Sequence, residues 1–225
     1  MKRSKAAGFT IVELMIAMLV FAVVLILITT GVLNFTQSYF KGINQSRTQT
    51  AARSVLETIT QAVQFSGGDV NGALTEVNDV QGFCIGNQRY SFLKGRQLTE
   101  STPVGNQSSR VLVTDEPGNC GGGAAYDITT GMPPGGRELL TPGMRISKLT
   151  LERLGATEDL YKLSVRVVYG DDDLLCSPSA GDCDSTAPTN FNATDLSCRF
   201  AFQGAQYCAY SELSTIVKNR IGVTP

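Results

Sequence analysis

The side chains in this chain that could do chemistry are thiols and carboxylates, because it contains no histidine. That absence removes Ser-His-Asp and Cys-His nucleophiles, histidine-ligated zinc and the usual proton shuttle near neutral pH. The six cysteines are Cys84, Cys120, Cys176, Cys183, Cys198 and Cys208. A zinc site would want paired C-x-x-C knuckles, and these spacings supply none. Six thiols fit disulfides in an oxidising compartment instead. Sequence alone cannot choose among the many full pairings; proximity suggests Cys176 with Cys183 and Cys198 with Cys208, leaving Cys84 with Cys120. Carboxylates cluster at Asp171, Asp172 and Asp173, with Asp182 and Asp184 nearby. Oxygen ligands from Asp171, Asp173, Asp182 and Asp184 could hold Ca²⁺, but the EF-hand spacing is absent and aspartate-rich loops are more often solvated turns. The expectation is therefore no catalytic residue, no cofactor and no resident metal. Gly121-Gly122-Gly123 is not a phosphate loop, since no Gly-Lys-Ser/Thr follows a strand. Asn192-Ala193-Thr194 is a glycosylation-type triplet in a surface loop. Tyr207 and Tyr210 read as core rather than as adhesive aromatics.

One carboxylate stands apart. Glu13 is the single charged residue between Phe9 and Leu33, and Leu14 to Ile28 is an unbroken apolar run of 15 residues. As a helix, Phe9 to Leu33 spans roughly 37 Å, enough for a hydrocarbon core of about 30 Å. Lys2, Arg3 and Lys5 precede this span, so the positive-inside rule leaves Met1 to Gly8 in the cytoplasm and the bulk of the chain outside. No small-x-small site follows the apolar run, which argues against a cleaved secretory signal. A carboxylate here costs roughly 2.5–3.5 kcal/mol at mid-span and less near the interface. Glu13 therefore sits at headgroup level, is protonated, or pairs with a cation from another chain.

The segment Gly8-Phe9-Thr10-Ile11-Val12-Glu13-Leu14-Met15, after a short basic leader, resembles the class III signal of type IV pilins and type II secretion pseudopilins. The match covers residues 6–33. The resemblance implies that a prepilin peptidase cuts between Gly8 and Phe9 and N-methylates Phe9. It makes Glu13 the assembly glutamate, which neutralises the N-terminal amine of an adjacent subunit. It also implies other pilin subunits and an inner-membrane assembly platform as partners. The product would be an inner-membrane, single-pass protein that later joins an extracellular pilus or a periplasmic pseudopilus. Pilin-like proteins often staple their C-terminal loop with disulfides. The leading expectation is a minor pilin, at a filament tip or in assembly, adhesion or motility. The alternative is a pseudopilin of a secretion or DNA-uptake system. No nucleic-acid partner is expected, since the net charge is −1.

These residues need elements to position them. Ala52, Val55, Leu56, Ile59, Ala62 and Val63 continue helical spacing beyond the membrane. No proline interrupts Phe9 to Ser66, and Ser66-Gly67-Gly68-Asp69 is a stop. One helix from about Phe9 to Phe65 is predicted, with Thr29-Thr30-Gly31 as its weak point. The predicted divisions are a leader at 1–8, a membrane or filament-core half at 9–33, an amphipathic half at 34–66 and a β-rich head at 67–225. Strands are expected around Phe83–Ile85, Arg89–Phe92, Arg110–Thr114, Met144–Leu151 and Tyr161–Tyr169. In the last, Tyr161, Leu163, Val165, Val167 and Tyr169 share one face, and Lys162, Ser164 and Arg166 the other. Glu116–Pro142 and Gly170–Ser197 read as long loops of the kind that often bind. Ser211–Pro225 is either a last short helix, with Lys218 and Arg220 at its C-terminus, or a strand and turn. The fold class is α+β: a long N-terminal helix packed on an antiparallel sheet.

Overall fold

The computed structural model describes residues 10–67, 70–117, 120, 125–155, 159–184, 188–199 and 204–220. The chain divides into two compact units, Met1–Phe40 and Lys41–Pro225. Among the described residues a single helix, α1 (Ile11–Phe65), supplies the regular structure of the first unit and opens the second. The strands in chain order are β1 (Val70–Val77), β2 (Val80–Ile85), β3 (Gln88–Leu93), β4 (Gln97–Leu98), β5 (Gln107–Ser108) and β6 (Leu112–Asp115). They continue as β7 (Arg137–Glu138), β8 (Met144–Leu154), β9 (Leu160–Tyr169), β10 (Leu175–Cys176), β11 (Ser197–Cys198) and β12 (Ala209–Lys218).

In the first unit every described residue from Ile11 to Phe40 is exposed. An all-round apolar helix has no stripe with which to choose a face, so it forms no local core. In the second unit the helix becomes amphipathic. Ala51, Ala52, Val55, Ile59 and Val63 are buried at i, i+4, i+8 spacing, while Arg47, Arg53 and Gln61 are exposed. That stripe packs on two antiparallel sheets. One has strand order β1-β2-β3-β6-β7, the other β12-β9-β8. Their apolar faces meet the helix in one core that includes Phe83, Tyr90 and Phe92 from the first sheet and Ile146, Leu163, Val165 and Val167 from the second. The α+β fold expected from sequence is the fold observed.

Local chemistry explains the turns. Asn78 and Asp79, both at positive φ (50° and 65°), make a two-residue hairpin between β1 and β2, as asparagine and aspartate tolerate that region. Ser147 is an extra residue in β8, because Ile146 pairs with Val167 and Lys148 with Arg166. The bulge leaves Arg145, Ile146 and Ser147 all buried in succession.

The described part of the tail is a strand up to Lys218. β12 pairs with β9 over its whole length, from Ala209 opposite Tyr169 to Lys218 opposite Leu160. The helix-like spacing of Leu213, Ile216 and Val217 is overridden by period two: Ala209, Ser211 and Val217 are buried and Ile216 is 63% exposed. Lys218 therefore ends a strand and not a helix. On β9 the expected polar face is only partly polar in environment. Val168 is buried in a second small core with Leu174, Leu175, Leu196 and the Cys198–Cys208 bridge.

Candidate functional site

Gly8 and Phe9 lie outside the described residues. The chain enters the helix at Thr10, whose Oγ1 accepts a hydrogen bond from the Glu13 N–H at 3.3 Å. Glu13 reaches back: its Oε2 accepts from the Thr10 N–H at 3.2 Å and from the Thr10 hydroxyl at 3.1 Å. This is a capping box, in which two orphan donors of the first turn are satisfied reciprocally. The signal, Thr-x-x-Glu before an apolar run, was present in the sequence and escaped the reading above. The carboxylate stands in the first turn, where the helix dipole favours negative charge. Among the described residues its bonds fall on Thr10, and the side chain is exposed.

Beyond it lies an unpartnered apolar surface. Ile11, Leu19 and Leu27 are 79%, 66% and 66% exposed. The polar side chains within it are quenched internally: the Thr29 hydroxyl donates to the Leu25 carbonyl at 2.7 Å and that of Thr30 to the Ile26 carbonyl at 2.9 Å. The helix is long and apolar enough to cross a membrane.

In the head, disulfides join Cys84 to Cys120, Cys176 to Cys183 and Cys198 to Cys208. The aspartates take separate roles. Asp171, Asp173 and Asp184 are exposed. Asp182 is buried, and its carboxylate accepts from the main-chain N–H of Ser177 at 2.5 Å and of Asn190 at 3.0 Å. Among the described residues, the one cluster close enough to share an ion is Cys176, Asp182 and Cys183, and both of those sulfurs are spent in a bridge. Asn192 is exposed on its loop. Tyr210 is half-buried beneath the Arg166 guanidinium, 4.8 Å from its ring centre, whereas Tyr207, expected in the core, is 47% exposed. Tyr207 closes a short 3₁₀ turn at the surface, which keeps its ring out of the core.

Sequence reasoning missed the group that organises the long loop after β9. Arg145 is fully buried. Its Nη1 donates to the Gly95 carbonyl at 3.0 Å, and its Nη2 donates to the Gly170 carbonyl at 2.9 Å and to Asp172 at 2.8 Å. The guanidinium also lies 5.3 Å from the Phe191 ring centre. Burial lowers its pKa, and Asp172 opposes that shift. Gly170 accepts this role at φ 140°, with Cys208 so close that a Cβ would stand 3.3 Å from it. Nothing in the local sequence marks Arg145, because burial of a cation is decided by the loops that close over it. Asp195 works similarly, accepting from the Ser177 and Ser179 hydroxyls at 2.7 and 2.9 Å. Burial pushes its carboxyl up, but these hydrogen bonds win and hold it below the usual range. Glu138 binds the main-chain N–H groups of Val111, Leu112 and Leu140 at 2.8–3.1 Å, while burial pushes its carboxyl up. These groups fasten loops to the sheet. A groove of about 610 Å³ beside the helix is lined by Arg47, Thr50, Ser54, Pro142, Met144 and Tyr169, among others, with no carboxylate.

Residues 3–29 match the family model described as the prokaryotic N-terminal methylation motif. No curated protein and no solved structure matches the chain. The motif, with a long apolar helix behind it and an α+β head, fits a type IV pilin-like precursor and points to a structural subunit. Such a motif implies processing by a prepilin peptidase and assembly with other pilins.

Proposed function

We propose that this chain is a minor type IV pilin, trimmed at its N-terminus, N-methylated and built into a surface filament through α1. The observation that carries the proposal is the methylation motif at residues 3–29, running into a helix whose described apolar residues in the first unit are all exposed. Prepilin peptidase cuts between Gly8 and Phe9 and methylates the Phe9 amine. Glu13, held at the helix start by Thr10, exchanges or shares that local bond with the amine of a neighbouring subunit. An inner-membrane assembly platform draws the subunit from lipid into the polymer. Both surroundings are apolar, so the transfer is nearly balanced and an external motor can drive it. The minor assignment is supported by a head with two long loops and three disulfides, larger than a simple shaft subunit needs.

Intact mass spectrometry of the native protein tests this reading. The expected mass is that of residues 9–225 with one added methyl and three disulfides. Gly8→Ala should leave the leader attached, and a normal mature mass in that variant would overturn the cleavage assignment. Glu13→Ala should insert normally but incorporate poorly beside wild-type neighbours. Equal incorporation would remove the pairing role.

A further inference from the structure

Two facts about α1 bear on where it stands before assembly. Between Glu13 and Asn34 the only side chains with hydroxyl, amide or charged groups are Thr29 and Thr30, and both hydroxyls are bonded to helix carbonyls. Leu14–Leu33 therefore offers no unpaired polar side chain. It is 20 residues long, and 20 residues of helix span about 30 Å, the thickness of a typical hydrocarbon core. The dry stretch fits with no slack.

The flanks then change character. From Asn34 onward, the polar run Thr36-Gln37-Ser38 lies between Phe35 and Tyr39-Phe40, and Lys41 follows. Phe35 and Tyr39 are 72% and 57% exposed and stack at 6.3 Å between ring centres; Tyr39 meets Phe40 edge-on at 6.2 Å. Rings mixed with small polar groups beside an apolar span suit the interfacial layer of a bilayer, which accepts an apolar body and a polar tip together. Glu13 to Tyr39 is about 39 Å of helix, close to a bilayer counted with its headgroups.

We infer that the unassembled chain is held at one depth in the membrane, with Glu13 at the inner headgroup level and the stacked Phe35–Tyr39 pair seated in the outer interfacial layer. The occupant of this aromatic surface is lipid. Glu13 then needs no partner while the subunit is stored. Outward movement by one helical turn draws its carboxylate into hydrocarbon and lifts the rings from the interface, so both ends resist withdrawal until a cation meets Glu13. The inference rests on the membrane reading above but not on incorporation into a filament.

The test uses the full-length chain in membranes of cells without the assembly motor, with single cysteines at Val24, Gly31 or Lys41. The native cysteines are all paired and stay silent. A membrane-impermeant maleimide added on the head side should label Lys41→Cys at least roughly tenfold faster than Gly31→Cys, and should not label Val24→Cys from either side. Combining Phe35→Ala and Tyr39→Ala should leave the protein in the alkali-resistant membrane fraction yet raise Gly31→Cys labelling several-fold. Equal labelling at 31 and 41, or no effect of the alanines, would overturn the depth assignment. So would efficient Tyr39→Cys cross-linking between copies in this unassembled pool, which would put a second subunit where lipid is assigned. Normal filament incorporation alongside such a failure would spare the pilin reading. Lost incorporation alongside the expected labelling would do the reverse.

Discussion

Val24 and Val55 are the same side chain on the same helix, yet Val24 is 44% exposed and Val55 is fully buried. Around Val55 the helix is polar on one side, so it presents one stripe and two sheets close over it. Around Val24 it is apolar on every side, and every described residue of its unit is exposed. Burying a side chain of this kind contributes about 1.5–3 kcal/mol, so a full turn-by-turn apolar surface cannot be left to water. The contrast separates two uses of hydrophobicity. In Lys41–Pro225 it is consumed in folding the chain, and in the described part of Met1–Phe40 it is left exposed, which on the proposed reading serves first lipid and then other copies.

The sharpest way to break this comparison is the same deletion on both sides of it. Ile59→Ala removes a fully buried side chain and should lower the stability of the head by about 2–5 kcal/mol. Ile26→Ala, at a position 63% exposed, should leave the head's denaturation midpoint unchanged. Both are read by tyrosine fluorescence in detergent, since the chain has no tryptophan. A comparable loss from Ile26→Ala would mean that the stalk is part of the head's core.

A second, smaller effect reads the head through pH. Burial pushes the Tyr90 phenol up to about 12, while it donates to the Gln88 side chain at 2.8 Å. The folded pKa is raised above the unfolded value of 10.0, so this contribution is whole below pH 10 and is lost as pH rises toward 12. The full loss is on the order of 2–3 kcal/mol. Tyr90→Phe should lose less stability over that window than wild type in alkaline denaturation curves. Parallel curves would place Tyr90 in contact with water.

The smallest expected effect lies at the other end of the chain. Thr10→Ala removes the cap and should cost about 1 kcal/mol, confined to the first turn of α1. Amide exchange should quicken near Glu13 while the head's protection stays as it was. Spread of the effect into the sheets would contradict a cap confined to the first turn.

Much of the fold was legible because it rests on periodicity. The i, i+3, i+4 stripe from Ala52 to Val63 and the alternation along Tyr161–Tyr169 appear as a buried helix face and a central strand. The tail was ambiguous for the same reason. Leu213, Ile216 and Val217 match a helix, and Ala209, Ser211 and Val217 match a strand, so only pairing with β9 decides. Tyr207 was misplaced because a 3₁₀ turn, invisible to periodicity, sets its direction. Thr10 was overlooked although its motif is local. Arg145 had no local signal at all, since its partners Gly95, Gly170 and Asp172 come from distant parts of the chain.

What the sequence determined by itself is whatever depends on neighbours a few residues apart: an uninterrupted apolar helix, its lone acid at Glu13, the methylation motif and the alternation of the best strands. Tertiary structure alone decided which polar groups would be shut away from water. Arg145, Asp182 and Glu138 became anchors of loops because segments far apart in the chain converged to supply their hydrogen bonds, and that convergence has no period to read.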